Sequence, residues 1–440
     1  MEQKKIGMLT LVGLVLLCVI VLAGCTEVPG PVTPTITPIP QDTVSSLQTT
    51  TTMASVSGSA KGVAEANNRF TFDLYSHLAK DPEYAGRNLF FSPFSISSAL
   101  AITYEGARGT TADEIRSVFY FPDDNDAMRR DFAEINAGIN KESANYTLRT
   151  ANALWAEKTY AFLPDYTSTA SQYYGANVTN LDFVSQPEVS RETINHWVEQ
   201  KTENKIKDLI PAGGINPLTR LVITNAVYFK GRWASRFDKN NTRNAVFWVS
   251  PEETIQVSMM QEDSIYRYNE SGDVQVLGIP YAHSSGKGLS MLIILPKGHD
   301  LTAAEHVLDP AAFPGIQNSL RTQAVNVFLP TFKIETAYRL PGTLAAMGMP
   351  IAFSDRADFS GMDGTKSLFI GDVIHKAFVD VNEEGTEAAA ATGVGMFLTS
   401  SGPQKSQPIP VFNANHPFVF IIQDDETGTI LFAGRVINPA

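Results

Sequence analysis

The 440-residue chain is nearly without cysteine. Only Cys18 and Cys25 occur, both near the N-terminus, so no disulfide can staple the rest. Excess positive charge is also missing. The 34 Lys and Arg stand against 46 Asp and Glu, a formal net charge of −12, which argues against general affinity for nucleic acid or anionic lipid. Enzyme signatures are absent: there is no GxSxG elbow, HExxH pair, Walker loop or GxGxxG turn. The seven histidines (His77, His196, His283, His299, His306, His375 and His416) are scattered, without ligand spacing or a cysteine beside them. No metal, cofactor or catalytic residue is therefore expected. Lys201, Lys205 and Lys207 alternate with Glu199 and Glu203; that pattern reads as a solvated helix face with ion pairs, not a polyanion site.

What is present begins with an N-terminal export pattern. Lys4 and Lys5 precede an apolar run from Ile6 to Ala23, which reads as a secretory signal over residues 1–24. The tetrapeptide Leu22-Ala23-Gly24-Cys25 resembles the lipobox of prokaryotic lipoproteins, which implies cleavage before Cys25 and lipidation of its sulfur. The run is also long enough for an uncleaved anchor. The expected location is therefore extracellular, held at the outer face of the cell membrane by lipid or anchor, with free secretion as the alternative. Residues 25–60 are rich in Thr, Ser and Pro and read as a disordered linker. Beyond residue 60 no second composition break appears, and 43% hydrophobic against 18% charged residues provide ample core. Residues 61–440 are read as one domain. Four Asn-x-Ser/Thr sequons, at Asn145, Asn177, Asn240 and Asn269, are candidate glycosylation sites.

Within that domain, Val63 to Lys80 has helical spacing, with Phe70, Leu74 and Leu78 on one face. Ser92-Pro93 opens a helix that continues as a buried stretch from Ile96 to Tyr104. Strands are clearest later: Leu221–Phe229, Leu289–Leu295, and a hairpin of Phe418–Ile422 with Thr429–Val436. Helices early and strands late argue for an α+β fold.

Several stretches, in order, resemble one family, the serpins. Asn88 to Ile96 (NLFFSPFSI) and Gly106 to Thr111 look like their helix B and the following turn. Asn152 to Trp155 looks like their strand 2A, and Thr224 to Trp233 (TNAVYFKGRW) like strand 3A and its exit. Ile374 to Ala377 looks like strand 5A, Glu383 to Thr392 (EEGTEAAAAT) like the reactive-loop hinge, and Asn415 to Phe418 with Gly434 to Pro439 like the last strands. The resemblance implies the serpin fold, with three β-sheets, eight or nine helices and an exposed reactive loop. It also implies a monomeric, metastable suicide-substrate inhibitor of serine-type endopeptidases. A protease cuts the loop, and the loop then inserts into sheet A and traps the acyl-enzyme. The alternative is a non-inhibitory serpin-fold protein acting as a binding or structural module at the cell surface.

The hinge residues fit insertion physically. Gly385 supplies backbone freedom after Glu383. Side chains alternate across a strand, so Thr386, Ala388, Ala390, Thr392, Val394, Met396 and Leu398 share one uncharged face. Burying the last three contributes on the order of 5–8 kcal/mol. The family's usual spacing from the hinge acid, counted from Glu383, places the scissile bond at Thr399–Ser400, and a count one residue shorter gives Leu398–Thr399. Such bonds suit elastase-, subtilisin- or chymotrypsin-like proteases. The resemblance further assigns Ser92, Ser95, Asn225 and His375 to the polar shutter cluster under sheet A, and Trp233 to the breach where the loop enters. One departure stands out. Thr331 occupies the place where several members carry a basic partner for the hinge acid, so Glu383 is expected to lack that partner.

Overall fold

The computed structural model describes residues 60–140, 145–283, 288–386 and 408–440, the Thr150 side chain excepted. The expectations for residues 1–59, Cys25 included, lie outside the described residues. So do those for Ala388, Ala390, Thr392, Leu398, Thr399 and Ser400. The described residues belong to one unit spanning Ser55–Ala440.

Six helices exceed ten residues: α1 (Lys61–Lys80), α2 (Pro93–Gly106), α3 (Gly109–Phe119), α4 (Asn125–Ile139), α5 (Pro164–Tyr174) and α6 (Pro187–Lys201). Four shorter ones bring the described total to ten, two of them only four residues long. The strands, in chain order, are β1 (Leu89–Phe91), β2 (Tyr146–Glu157), β3 (Asn177–Leu181), β4 (Leu221–Arg232), β5 (Arg243–Trp248), β6 (Thr254–Ser271), β7 (Val274–Pro280) and β8 (Leu289–Pro296). They continue as β9 (Arg321–Pro330), β10 (Phe332–Arg339), β11 (Asp372–Asn382), β12 (Gly385–Thr386), β13 (Val411–Asn413), β14 (Phe418–Asp424) and β15 (Ile430–Val436).

The α+β reading holds, with helices concentrated before residue 202 and most strands after it. The three sheets implied by the resemblance appear as two hydrogen-bonded paths. One runs β10-β11-β12-β4-β2-β3, and the other β1-β15-β14-β8-β7-β6-β9-β13, with β5 on β6. The merging has a physical cause in β6. Its 18 residues run unbroken from the β5 pairing to the β7 pairing. Along it the buried side chains change phase at Met259 and Met260, both buried, so one continuous strand turns its inner face from one region to the next.

Helix α2 shows why the core forms around it. Ser92 caps it and Pro93 occupies its first turn, where a missing N–H costs nothing. Every residue from Pro93 to Tyr104 is buried, as expected of a helix without a solvent face. It contacts β15 of the larger sheet and both β2 and β4 of the six-stranded sheet.

One sequence expectation is corrected. Helix α6 ends at Lys201, and Glu203 and Asn204 adopt positive φ, so Lys205 and Lys207 do not share its face. Lys205 lies over the Phe378 ring instead, and the Lys207 carbonyl accepts a hydrogen bond from Lys376.

Candidate functional site: the hinge and the polar cluster of the six-stranded sheet

The site is built on two strands, β4 and β11. Over their lower parts they pair directly in parallel, Val222–Tyr228 against Asp372–Phe378. Above Phe378 a different partner enters. After Asn382 the chain turns back through Glu383 and Glu384, and β12 lies antiparallel to both neighbours. Gly385 stands opposite Asn382 and Arg232, and Thr386 opposite Val381 and Gly231. The first two residues after the turn are therefore already a strand inside the sheet.

Gly385 has no substitute here. Its φ is +149°, and a Cβ built on it would fall 2.0 Å from the Gly231 carbonyl oxygen. Thr386 is fully buried and its Oγ1 lies 2.8 Å from the Tyr281 hydroxyl. Tyr281 is itself fully buried, and burial drives its phenol pKa well up, so the hydroxyl stays protonated. Of the expected inward face, Thr386 is described and points inward; the residues after it are outside the described set.

Trp233 sits against this hinge. Its backbone N–H donates to the Glu384 carbonyl at 3.0 Å and its indole Nε1–H to the Asn382 carbonyl at 2.9 Å. The ring stacks on Tyr281 with centroids 4.7 Å apart. The segment just after Trp233 completes the seat. The Phe237 N–H donates to the Glu383 carbonyl at 3.0 Å, and the Thr242 hydroxyl donates to Glu383 Oε1 at 2.7 Å. Glu384 pairs with Arg236 at 3.0 Å and Lys239 at 3.3 Å.

The missing partner of Glu383 is thus Thr242, not a residue near Thr331. Lys333 stands opposite Asp380 and lies over the Phe378 ring. Thr242 is also the threonine of the Asn240 sequon, and Asn240 itself is exposed.

Below the hinge, the four expected cluster residues meet. Ser92, Ser95, Asn225 and His375 are all buried, from 0 to 3% exposed. The Ser92 backbone N–H donates to His375 Nε2 at 3.0 Å. That leaves Nε2 without a proton, so Nδ1–H is the donor to Asn225 Oδ1. Asn225 Nδ2 then donates to Ser95 Oγ at 2.5 Å and Asn152 Oδ1 at 2.6 Å. Ser95 Oγ in turn donates to Asn152 Oδ1 at 3.0 Å, and Ser92 Oγ donates to the Leu431 carbonyl at 2.7 Å. The network crosses the join between β4 and β11, since His375 and Asn225 are paired residues of those strands. Burial pushes the His375 imidazole down to about 3, so the ring is neutral at ordinary pH. Among the described residues no group of three or more His, Cys, Asp or Glu side chains is placed to hold a metal ion.

Sequence reasoning missed Asn152, Tyr281, Arg236, Lys239 and Thr242. Asn152 carried a signal, as a lone polar residue in an apolar stretch opposite Asn225 in the β2–β4 register. Tyr281 carried none, because it is 105 residues from Thr386 in the chain.

Comparison with known proteins accounts for this geometry. The profile of the serpin (serine protease inhibitor) family matches residues 65–439. An uncharacterized serpin-like protein of Thermococcus kodakarensis is 42% identical, over 97% of this chain and 98% of its own length. The leukocyte elastase inhibitor of Equus caballus is 41% identical, over 86% of this chain and 99% of its own length. Human thyroxine-binding globulin, solved as a complex with thyroxine, superposes with a TM-score of 0.78 at 29% identity, covering 87% of this chain and 100% of its own. With the family's pattern matched across nearly the whole described domain and a two-residue strand seated at its hinge, the chain belongs to the serpin family.

Proposed function

We propose that this protein is an irreversible suicide-substrate inhibitor of serine-type endopeptidases. The observation that carries the reading is β12: Gly385 and Thr386 lie between β4 and β11, with Thr386 buried, while the residues that follow continue a face without charge. A loop whose first residues are already strand needs only release at its far end to extend that strand.

The protease serine attacks the carbonyl of Thr399, or of Leu398 in the shorter count. The peptide bond breaks, the new amine leaves with a proton, and an ester joins loop and protease. Insertion of the severed loop then carries the acyl-enzyme away before water cleaves the ester. The chemistry is the protease's own; this chain supplies a substrate bond and a sheet that opens. Glu383, Gly385, Thr386, Ala388, Ala390 and Thr392 act as hinge and leading strand. Trp233 guards the entry, and the cluster of Ser92, Ser95, Asn225 and His375 governs separation of β4 from β11. The target has an elastase-, subtilisin- or chymotrypsin-like pocket, and likeness to a leukocyte elastase inhibitor supports the first of these. The protein works outside the cell as a monomer, held through Cys25 or the apolar run before it, or else secreted free; fatty-acid labelling that is absent from the wild type, or that survives Cys25→Ala, would remove the Cys25 lipid from this reading.

Incubation with a protease panel tests the proposal. An SDS-stable complex and release of a C-terminal peptide starting at Ser400 or Thr399 are expected. A second reading, a non-inhibitory binding or structural protein, is favoured by likeness to thyroxine-binding globulin. Turnover of the loop by every protease without a stable complex would select it.

A further inference from the structure

The two glutamates of the hinge have different partners, and the second is held by charge. Arg236 Nη1 meets Glu384 Oε2 at 3.0 Å and Lys239 Nζ meets Oε1 at 3.3 Å, so each carboxylate oxygen has its own cation. The Glu384 side chain is only 14% exposed, which screens the pair less than a surface bridge. Its backbone is fixed too. The Glu384 N–H donates to Asn382 Oδ1 at 3.1 Å and its carbonyl accepts from Trp233. Both cations belong to the segment directly after β4, the strand the loop must pair with. Glu384 directly precedes the inserted pair Gly385–Thr386.

We propose that Arg236 and Lys239 are positioning residues for loop insertion, holding Glu384 so that Gly385 and Thr386 stay seated between β4 and β11 before any bond is cut. The consequence for inhibition rests on the inhibitory reading above; the clamp itself does not. Growing a strand from an ordered end avoids the entropy of starting one, because the first backbone fixed is the costly part. After acylation, insertion competes with ester hydrolysis. A seated hinge shortens the time to trapping, and an unseated one lets more protease escape. The arrangement also explains the pair of acids before the glycine: Glu383 takes a hydroxyl and Glu384 takes two cations. Placing the cations on the β4 side ties the moving segment to its destination.

The test uses the full chain in four variants: R236A/K239A, Glu384→Gln, R236K, and Lys158→Ala as a distant control that loses only the Lys158–Asp182 pair. Hydrogen exchange of the Gly385 and Thr386 amides in the uncut protein reads the clamp without any protease. It is expected to quicken by about tenfold in the double variant and in Glu384→Gln, and to stay near wild type in R236K and Lys158→Ala. The stoichiometry of inhibition, measured with a protease that the wild type traps, should rise by about threefold or more in the same two variants. Unchanged exchange in both clamp variants overturns the clamp. Faster exchange with unchanged stoichiometry overturns its role in insertion. A wild type that traps no protease overturns the inhibitory reading, while the exchange data still decide the clamp.

Discussion

The lower and upper halves of the join between β4 and β11 are built differently. Below, seven residue pairs from Val222–Asp372 to Tyr228–Phe378 close the sheet, and His375 and Asn225 bridge the strands from beneath. Above, the strands part around Gly385 and Thr386. The lower seam is held by neutral hydrogen bonds, buried except where they reach the half-buried Asn152. The upper one is held by the ion pairs of Glu384, partly open to water, and by an aromatic stack. Buried neutral networks lose much when one member is removed, since the rest stay unsatisfied. Partly exposed ion pairs lose less. Under the proposed insertion, that difference would let the sheet open from the top while its middle resists.

Four perturbations probe that contrast, from the largest effect to the smallest. Thr386→Arg strikes the upper half hardest. Thr386 is fully buried and bonded to Tyr281 even before cleavage, so an arginine must either be buried without a partner, at a cost of several kcal/mol, or expel β12. The expected result is a protein cleaved as a substrate, with loss of SDS-stable complex; an unchanged complex yield would sink the insertion account.

Asn225→Ala strikes the lower half. It strips partners from His375 Nδ1, Ser95 Oγ and Asn152 Oδ1, and should destabilise the uncut protein by about 3 kcal/mol in urea unfolding. A loss below about 1 kcal/mol would show that the network does not hold the seam.

Acid should weaken the lower half next. The folded-state pKa of His375 is depressed from 6.5 to about 3, so the unfolded chain binds the proton first. Its stability contribution is complete above pH 6.5 and is lost as pH falls from there toward 3, by about 2–3 kcal/mol at pH 4.5. His416, lowered by burial as well, adds in the same direction. The slope of stability against pH between 6.5 and 4.5 should flatten in His375→Gln; an identical slope would contradict the assignment.

Thr242→Ala is the mildest. Removing the hydroxyl donated to Glu383 should cost about 1 kcal/mol, read as a small drop in melting temperature. No loss would mean that water replaces the hydroxyl fully.

How much of this was legible beforehand depended on whether a residue's role was local. The Pro-started α2 was readable from Ser92-Pro93, and Gly385 as a hinge from its place after the two glutamates, but the close approach of Gly231 that demands glycine there was not. The buried cluster was readable because its members sit in stretches of strong family pattern. Long-range partners were not. Tyr281 reaches Thr386 across 105 positions and Thr242 reaches Glu383 across 141, and no spacing rule connects them. The lysines after residue 201 misled because charge alternation looks helical, whereas the positive φ at Glu203 and Asn204 is set by how the chain leaves α6. The continuity of β6 was hidden because a strand that changes its buried face midway shows no single period of two.

The central claim is that the cut loop becomes a strand, and thermal unfolding before and after loop cleavage tests it most directly, whatever the natural target. Nicking between about residues 396 and 400 with a non-target protease, followed by calorimetry, should raise the melting temperature by at least about 10 °C, as new apolar surface and ladder hydrogen bonds are buried. A nicked protein that melts at or below the temperature of the intact one would contradict the account.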